Sequence, residues 1–130
     1  MAHPNEDLLR EGYAAFGRGD LDALQNQFFA PDITWHYPGK SPFAGDYRGT
    51  GEVVGWLMRT FEVTGGTIRV DLNTVVANDD VAVALTTINA QRDGKAISDD
   101  TVQVFRIRDG KATEVWTYPA DLYANDAFWS

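Results

Sequence analysis

Trp35-His36-Tyr37-Pro38-Gly39-Lys40-Ser41-Pro42-Phe43-Ala44-Gly45-Asp46-Tyr47-Arg48-Gly49 crowds aromatic rings, an imidazole, two prolines and three glycines into fifteen residues. Its start, with Ile33 to Tyr37, is rich in branched and aromatic residues and reads as a short strand; the prolines and glycines then shape a rigid loop before a helix. Such a strand-to-loop junction is expected to form the mouth or floor of a pocket.

Upstream, Asn5 is placed to cap a helix whose first turn carries Glu6 and Asp7, where carboxylates suit the positive end of the dipole. Leu9, Tyr13 and Phe16 recur as one apolar stripe. Gly17-Arg18-Gly19-Asp20 stops this helix and starts a second bearing Leu21, Leu24 and Phe28, which Pro31-Asp32 ends. Downstream, Val53, Trp56, Leu57 and Phe61 give a third helix, closed by Gly65-Gly66. The period then changes. Thr67 to Val76, Val81 to Gln91, Ala96 to Arg108 and Ala112 to Tyr118 are β-rich runs separated by Asn78-Asp79-Asp80, Arg92-Asp93-Gly94 and Asp109-Gly110. Helices followed by an antiparallel meander predict an α+β domain, a cone in which a curved antiparallel sheet wraps N-terminal helices and leaves a small-molecule pocket inside. Pro119 to Ser130, with Leu122, Tyr123, Phe128 and Trp129, is expected to form a short helix lidding the cone.

The 130 residues make one domain, 1–130, with 44% hydrophobic and 12% aromatic side chains, enough for a core without staples. No cysteine is present, so there is neither a disulfide framework nor a thiolate nucleophile, and two histidines are few for a zinc site. No metal and no cofactor are expected. Nineteen acidic against eleven basic residues give a net charge of -8, which repels phosphate backbones and anionic lipid. Nucleic acid and membrane are therefore not expected partners. The first residues lack the basic start and apolar core of a signal peptide, and a cytoplasmic location is the default.

His36-x-Pro38-Gly39 after a strand, then Gly45-x-Tyr47-x-Gly49 before a helix, resembles the SnoaL-like branch of the NTF2-like superfamily, with ketosteroid isomerases, polyketide cyclases and limonene epoxide hydrolases. The similarity extends from the helical N-terminus through Gly19-Asp20-Leu21-Asp22 to Phe105-Arg106-Ile107-Arg108-Asp109-Gly110-Lys111. It implies the cone fold, and inward faces that include Tyr37, Gln103 and Thr117. It also implies acids that this chain lacks. Ketosteroid isomerases place an aspartate base where Tyr37 stands, a protonated aspartate at Gln103 and a tyrosine donor at Gly12, while SnoaL-type cyclases place a histidine and an aspartate at Gln103 and Thr117.

Alternation along strands gives the same faces in part: Trp35 and Tyr37 together with His36 opposite, unless Pro38 bends the strand; Asp99, Thr101, Gln103 and Phe105 together; Val115 and Thr117 against Glu114, Trp116 and Tyr118. The candidate catalytic set is His36, Tyr37, Asp99 and Gln103. His36 has the side chain whose ordinary pKa lies near neutrality, suited to moving a proton with Asp46 to orient it; the plainer reading makes it a structural residue of the turn. Asp99 is a base if desolvated inside the cone, and the plainer reading leaves Asp99 and Asp100 solvated at a strand end. Gln103 either ties Tyr37 or Tyr13 in place or holds a ligand oxygen. Tyr13, Phe16, Trp35, Trp56, Phe61, Thr101, Val115 and Thr117 are the expected substrate-binding wall. Asp46 and Arg48 invite an epoxide-hydrolase reading, although both lie in one loop. Trp116 and Tyr118, facing outward, suggest a homodimer through the outer sheet face.

From these residues the expected activity is isomerase, cyclase or lyase chemistry by acid–base catalysis on an apolar, carbonyl- or hydroxyl-bearing metabolite. The alternatives are a non-catalytic binder of an apolar small molecule, and an interaction domain using the outer sheet face.

Overall fold

The computed structural model describes residues 2–130. Helix α1 (Pro4–Gly17) begins where His3 accepts from the Asn5 amide at 3.1 Å through Nδ1, while Glu6 accepts from the His3 amide at 2.8 Å, a reciprocal cap with Pro4 opening the first turn. The cap is thus His3 and not Asn5. The Asn5 side chain instead donates through Nδ2 to the carbonyls of Asn78 and Asp79. After Arg18-Gly19, Asp20 caps α2 (Leu21–Ala23), which widens into a π-helical turn, Leu24–Phe28.

Strand β1 (Phe29–Tyr37) starts earlier than Ile33 and includes Pro31 and Asp32, because the ladder is irregular between Phe29 and Thr34 and needs no amide hydrogen from proline there. The aromatic loop contains a further strand, β2 (Gly45–Arg48), which pairs antiparallel with β1, Tyr47 opposite Trp35. Helix α3 (Gly49–Val63) follows. Then come β3 (Arg69–Ala77), β4 (Val81–Arg92), β5 (Lys95–Arg108) and β6 (Lys111–Pro119), an antiparallel meander, and α4 (Leu122–Trp129). The turns between β4 and β5 and between β5 and β6 carry Asp93-Gly94 and Asp109-Gly110, all four with positive φ, as tight hairpins of right-twisted strands require.

Sheet order is β2-β1-β6-β5-β4-β3. Strand β1 runs parallel to β6, Thr34 opposite Glu114, so the curved and unclosed sheet is mixed. Its helix-bearing face buries Phe29, Ile33 and Trp35 from β1, Phe105 and Ile107 from β5, and Val115 from β6, packed with Leu9, Phe28 and Val53 of the helical layer. Gly12 lets α1 come this close: a Cβ there would lie 2.7 Å from the Phe28 ring.

Candidate functional site

Between α1, α3, α4 and the sheet lies a cavity of about 80 Å³. Measured by where the centre of a water can go, one water needs about 10–15 Å³, so several ligand groups fit. The wall is mostly apolar. Tyr13 and Phe16 come from α1, Trp56, Leu57 and Thr60 from α3, and Trp35 and Tyr37 from β1. Val70, Ile88 and Ile97 come from the meander, and Asp99, Thr101 and Gln103 follow Ile97 along β5.

Burial along β5 alternates as the two-residue period requires, with Asp99, Thr101, Gln103, Phe105 and Ile107 buried. The polar groups of this row are tied to one another. The Tyr13 hydroxyl donates to Gln103 Oε1. Gln103 Nε2 donates to Thr117 Oγ1 at 3.4 Å, and Trp35 Nε1 donates to the same hydroxyl at 2.9 Å. Burial pushes the Tyr13 phenol far above its ordinary value, and pushes Tyr37 up to about 12, where hydrogen bonds to Asn125 and Trp129 only partly oppose it. Both phenols stay neutral donors across the physiological range.

Asp99 is inside, not solvated. Its carboxylate accepts from Thr101 Oγ1 at 2.7 Å, from the Ala120 amide at 3.1 Å and from the Asp121 amide at 3.1 Å, fixing the entry to α4. A strand-end acid stays buried here because the returning tail supplies the amides that water would otherwise supply. Asp99 is also the one ionisable carboxylate on the cavity wall among the described residues, and no Lys, Arg or His lines it.

His36 is not in the cavity. Pro38 does not turn the strand, so the imidazole points to the opposite face, stacked on Trp116 at 5.4 Å. Its Nδ1 lies 2.7 Å from Asp46 and its Nε2 2.7 Å from Glu114. Burial alone lowers its pKa, but the hydrogen bonds and charges of Glu114 and Asp46 outweigh that and hold it above the ordinary value. The residue expected to move protons thus lies off the cavity wall, held between Asp46 and Glu114. Asp46 and Arg48 are likewise off the wall, and Asp46 is taken up by His36.

Three expected wall residues lie behind the wall. Phe61 packs on Phe16 at 4.9 Å, while Val115 and Thr117 are buried on β6, between β1 and β5 in the sheet. The expected wall also lacked Leu57 and Thr60 of α3, Val70, Ile88 and Ile97 of the meander, and Asn125 of α4, the helix expected as a lid with Trp129. Asn125 and Trp129, four apart on one helical face, complete the wall. The Tyr37 hydroxyl donates to Asn125 Oδ1 at 2.9 Å, and Asp126 Oδ1 accepts from the Lys40 and Ser41 amides at 3.0 and 3.3 Å, clamping the aromatic loop to α4. Two buried nitrogens on wall residues, Trp56 Nε1 and Asn125 Nδ2, have no hydrogen-bond partner. Among the described residues no group of three or more His, Asp or Glu is arranged to hold a metal ion, and no helix is long and apolar enough to cross a membrane.

The chain is 37% identical over 125 residues, 95% of each sequence, to an uncharacterized protein of Mycobacterium tuberculosis. Among solved structures it superposes on Bal32a from a soil-derived mobile gene cassette with a TM-score of 0.95 at 34% identity, covering 99% of this chain and 98% of that one. TerC, co-crystallized with polyporic acid, superposes with a TM-score of 0.83 at 25% identity, covering 97% and 98%. The SnoaL-like domain matches residues 9–115, a span that runs from within α1 through the clamped aromatic loop and into β6, and the chain belongs to the SnoaL-like family.

Proposed function

We propose that this protein binds an apolar small molecule in its cone. The observation that supports the reading is an open, aromatic-walled cavity whose polar groups are neutral phenols, amides and hydroxyls, with Asp99 as the exception. Such a wall orients a guest without requiring it to carry charge. The relative TerC, crystallised with polyporic acid, gives a precedent for an organic guest in this fold. An open centre also counts against a pure interaction domain, which would fill its cone with its own side chains. The test is native mass spectrometry of the purified protein together with titration by tetralin, read from the emission of Trp35 and Trp56. A co-purifying guest, or tetralin binding that Ile97→Trp abolishes by filling the space, supports the reading. An empty protein that tetralin does not quench sinks it.

A second reading, isomerase- or cyclase-type acid–base catalysis, is favoured by the position of Asp99. Its two oxygens offer about four acceptor sites, and three are occupied, so one lone pair is free to take a proton from a guest while Asn125 Nδ2, a donor with no partner, donates to a developing oxyanion. Gln103 then acts as the anchor of Tyr13 and not as a proton carrier. Loss of turnover in Asp99→Asn with guest affinity retained is the expected signature; turnover unchanged in that variant removes the reading.

A further inference from the structure

The hydrogen bonds of the cavity wall do not balance. Tyr13, Gln103, Trp35, Thr60 and Thr101 each donate to an internal acceptor, the Thr60 hydroxyl to the Leu57 carbonyl at 2.6 Å. What remains unpartnered is Asn125 Nδ2 and Trp56 Nε1, both donors. The two are gathered around one ring: Tyr37 holds Asn125 through its hydroxyl and packs on Trp56 at 5.1 Å between ring centroids.

Turning the Asn125 amide about its last torsion does not remove the excess. In that orientation Nδ2 donates to the Tyr37 oxygen and the phenolic hydrogen is released instead, on a side chain that is half-buried and lines the cavity. The Tyr37–Asn125 pair therefore always has one donor more than it can use. Water is a poor remedy against this wall of aromatic rings, since it needs two to four polar partners. A guest with an acceptor oxygen is the remedy the chemistry admits.

We infer that Tyr37 and Asn125 form the polar end of the cavity and select an uncharged carbonyl compound over both its hydrocarbon analogue and its carboxylate. This rests on the reading that the cone binds a small molecule. A carboxylate loses its hydration on entry, finds no Lys, Arg or His on the wall among the described residues, and meets the Asp99 carboxylate on the same wall. An amine brings donors to a place already in excess of them. A ketone brings one acceptor and no charge.

The test uses the full chain and three matched bicyclic probes, tetralin, 1-tetralone and tetralin-1-carboxylate, with affinity read from tryptophan quenching. The ketone is expected to bind about tenfold more tightly than the hydrocarbon, the worth of one buried hydrogen bond, and the carboxylate more weakly than either. Because either partner alone still leaves a free donor, Tyr37→Phe and Asn125→Leu singly should keep most of the ketone preference. The double variant should reduce the ratio of tetralone to tetralin affinity to within about twofold, a change that loosened packing, which weakens both probes alike, does not produce. Equal affinity of the wild-type protein for tetralin and tetralone overturns the inference and leaves the small-molecule reading standing, as does preference for the carboxylate. Failure of all three probes to bind overturns both.

Discussion

His36 Nε2 lies 2.7 Å from Glu114 Oε2, across the parallel pairing of β1 with β6 and on the sheet face away from the cavity. With Asp46 on the other ring nitrogen, both N–H groups have acceptors when the ring is protonated, so the cation is the form the fold prefers. A histidine whose pKa is raised on folding contributes stability that is full below its ordinary value of 6.5 and is lost as pH rises through the folded value. Urea midpoints should therefore fall as pH rises above the ordinary histidine value, and His36→Gln should flatten that slope. Guest affinity in the same variant should stay within about twofold, since the ring is outside the cavity. A tenfold loss would return His36 to the site.

Asp99→Asn should destabilise the protein by about 1–3 kcal/mol, because an amide in place of the carboxylate presents hydrogens to backbone amides that need acceptors. The loss should be local. Hydrogen exchange at Ala120 and Asp121 should quicken in that variant well before exchange in β4 and β5 does.

Gly39 has φ +106, and a Cβ there would stand 2.1 Å from Asp126 Oδ1, the oxygen that accepts from the Lys40 and Ser41 amides. Gly39→Ala thus combines backbone strain with expulsion of that carboxylate, and should cost about 2–4 kcal/mol in chemical denaturation. Asp126→Ala, which frees the space but removes the acceptor, should be less harmful in the Gly39→Ala background than in the wild type.

Tyr13 and Gln103 should be coupled. Tyr13→Phe or Gln103→Leu alone leaves the other partner buried and unpaired, each at about 1–3 kcal/mol, whereas the double variant should cost less than the sum. Strict additivity in the four-member cycle would mean that the pair carries no joint energy.

The outer sheet face presents Tyr118, Val76 and Leu85, more exposed than large apolar side chains usually are, beside Trp116, over which Arg106 sits at 5.6 Å. A homodimer through this face remains the assembly we propose. Sedimentation equilibrium should give twice the chain mass, and Tyr118→Glu should bring it to one. A wild-type monomer at high concentration ends the proposal.

What the sequence revealed follows from the range of each signal. The period of two along β5 put Asp99, Thr101 and Gln103 on one face correctly, and along β1 it turned His36 away from Trp35 and Tyr37; the bend at Pro38 that would have reversed it does not occur. Hairpins announced by Asp93-Gly94 and Asp109-Gly110 are where they should be, since a positive φ is a property of two neighbouring residues. The His3 cap was hidden because the usual capping residue types pointed to Asn5, although Pro4 marked the first turn. Asn125 was hidden for a different reason. An amide on an eight-residue helix becomes a wall residue only because Asp99, Tyr37 and the Lys40 and Ser41 amides, all distant in sequence, fasten that helix over the cone. The burial of Asp99 follows from the same fastening and had no local sign.

The pairing of Thr34 with Glu114 joins segments eighty residues apart, with β2, α3 and the strands β3 to β5 between them. Loop-closure entropy opposes that contact until β3 to β6 have formed, so the zipping of β1 onto β6 belongs late on the route from the unfolded chain. Until then β6 presents a bare edge carrying Val115, Trp116 and Tyr118, and refolding at high concentration should lose material to strand-to-strand aggregation through it.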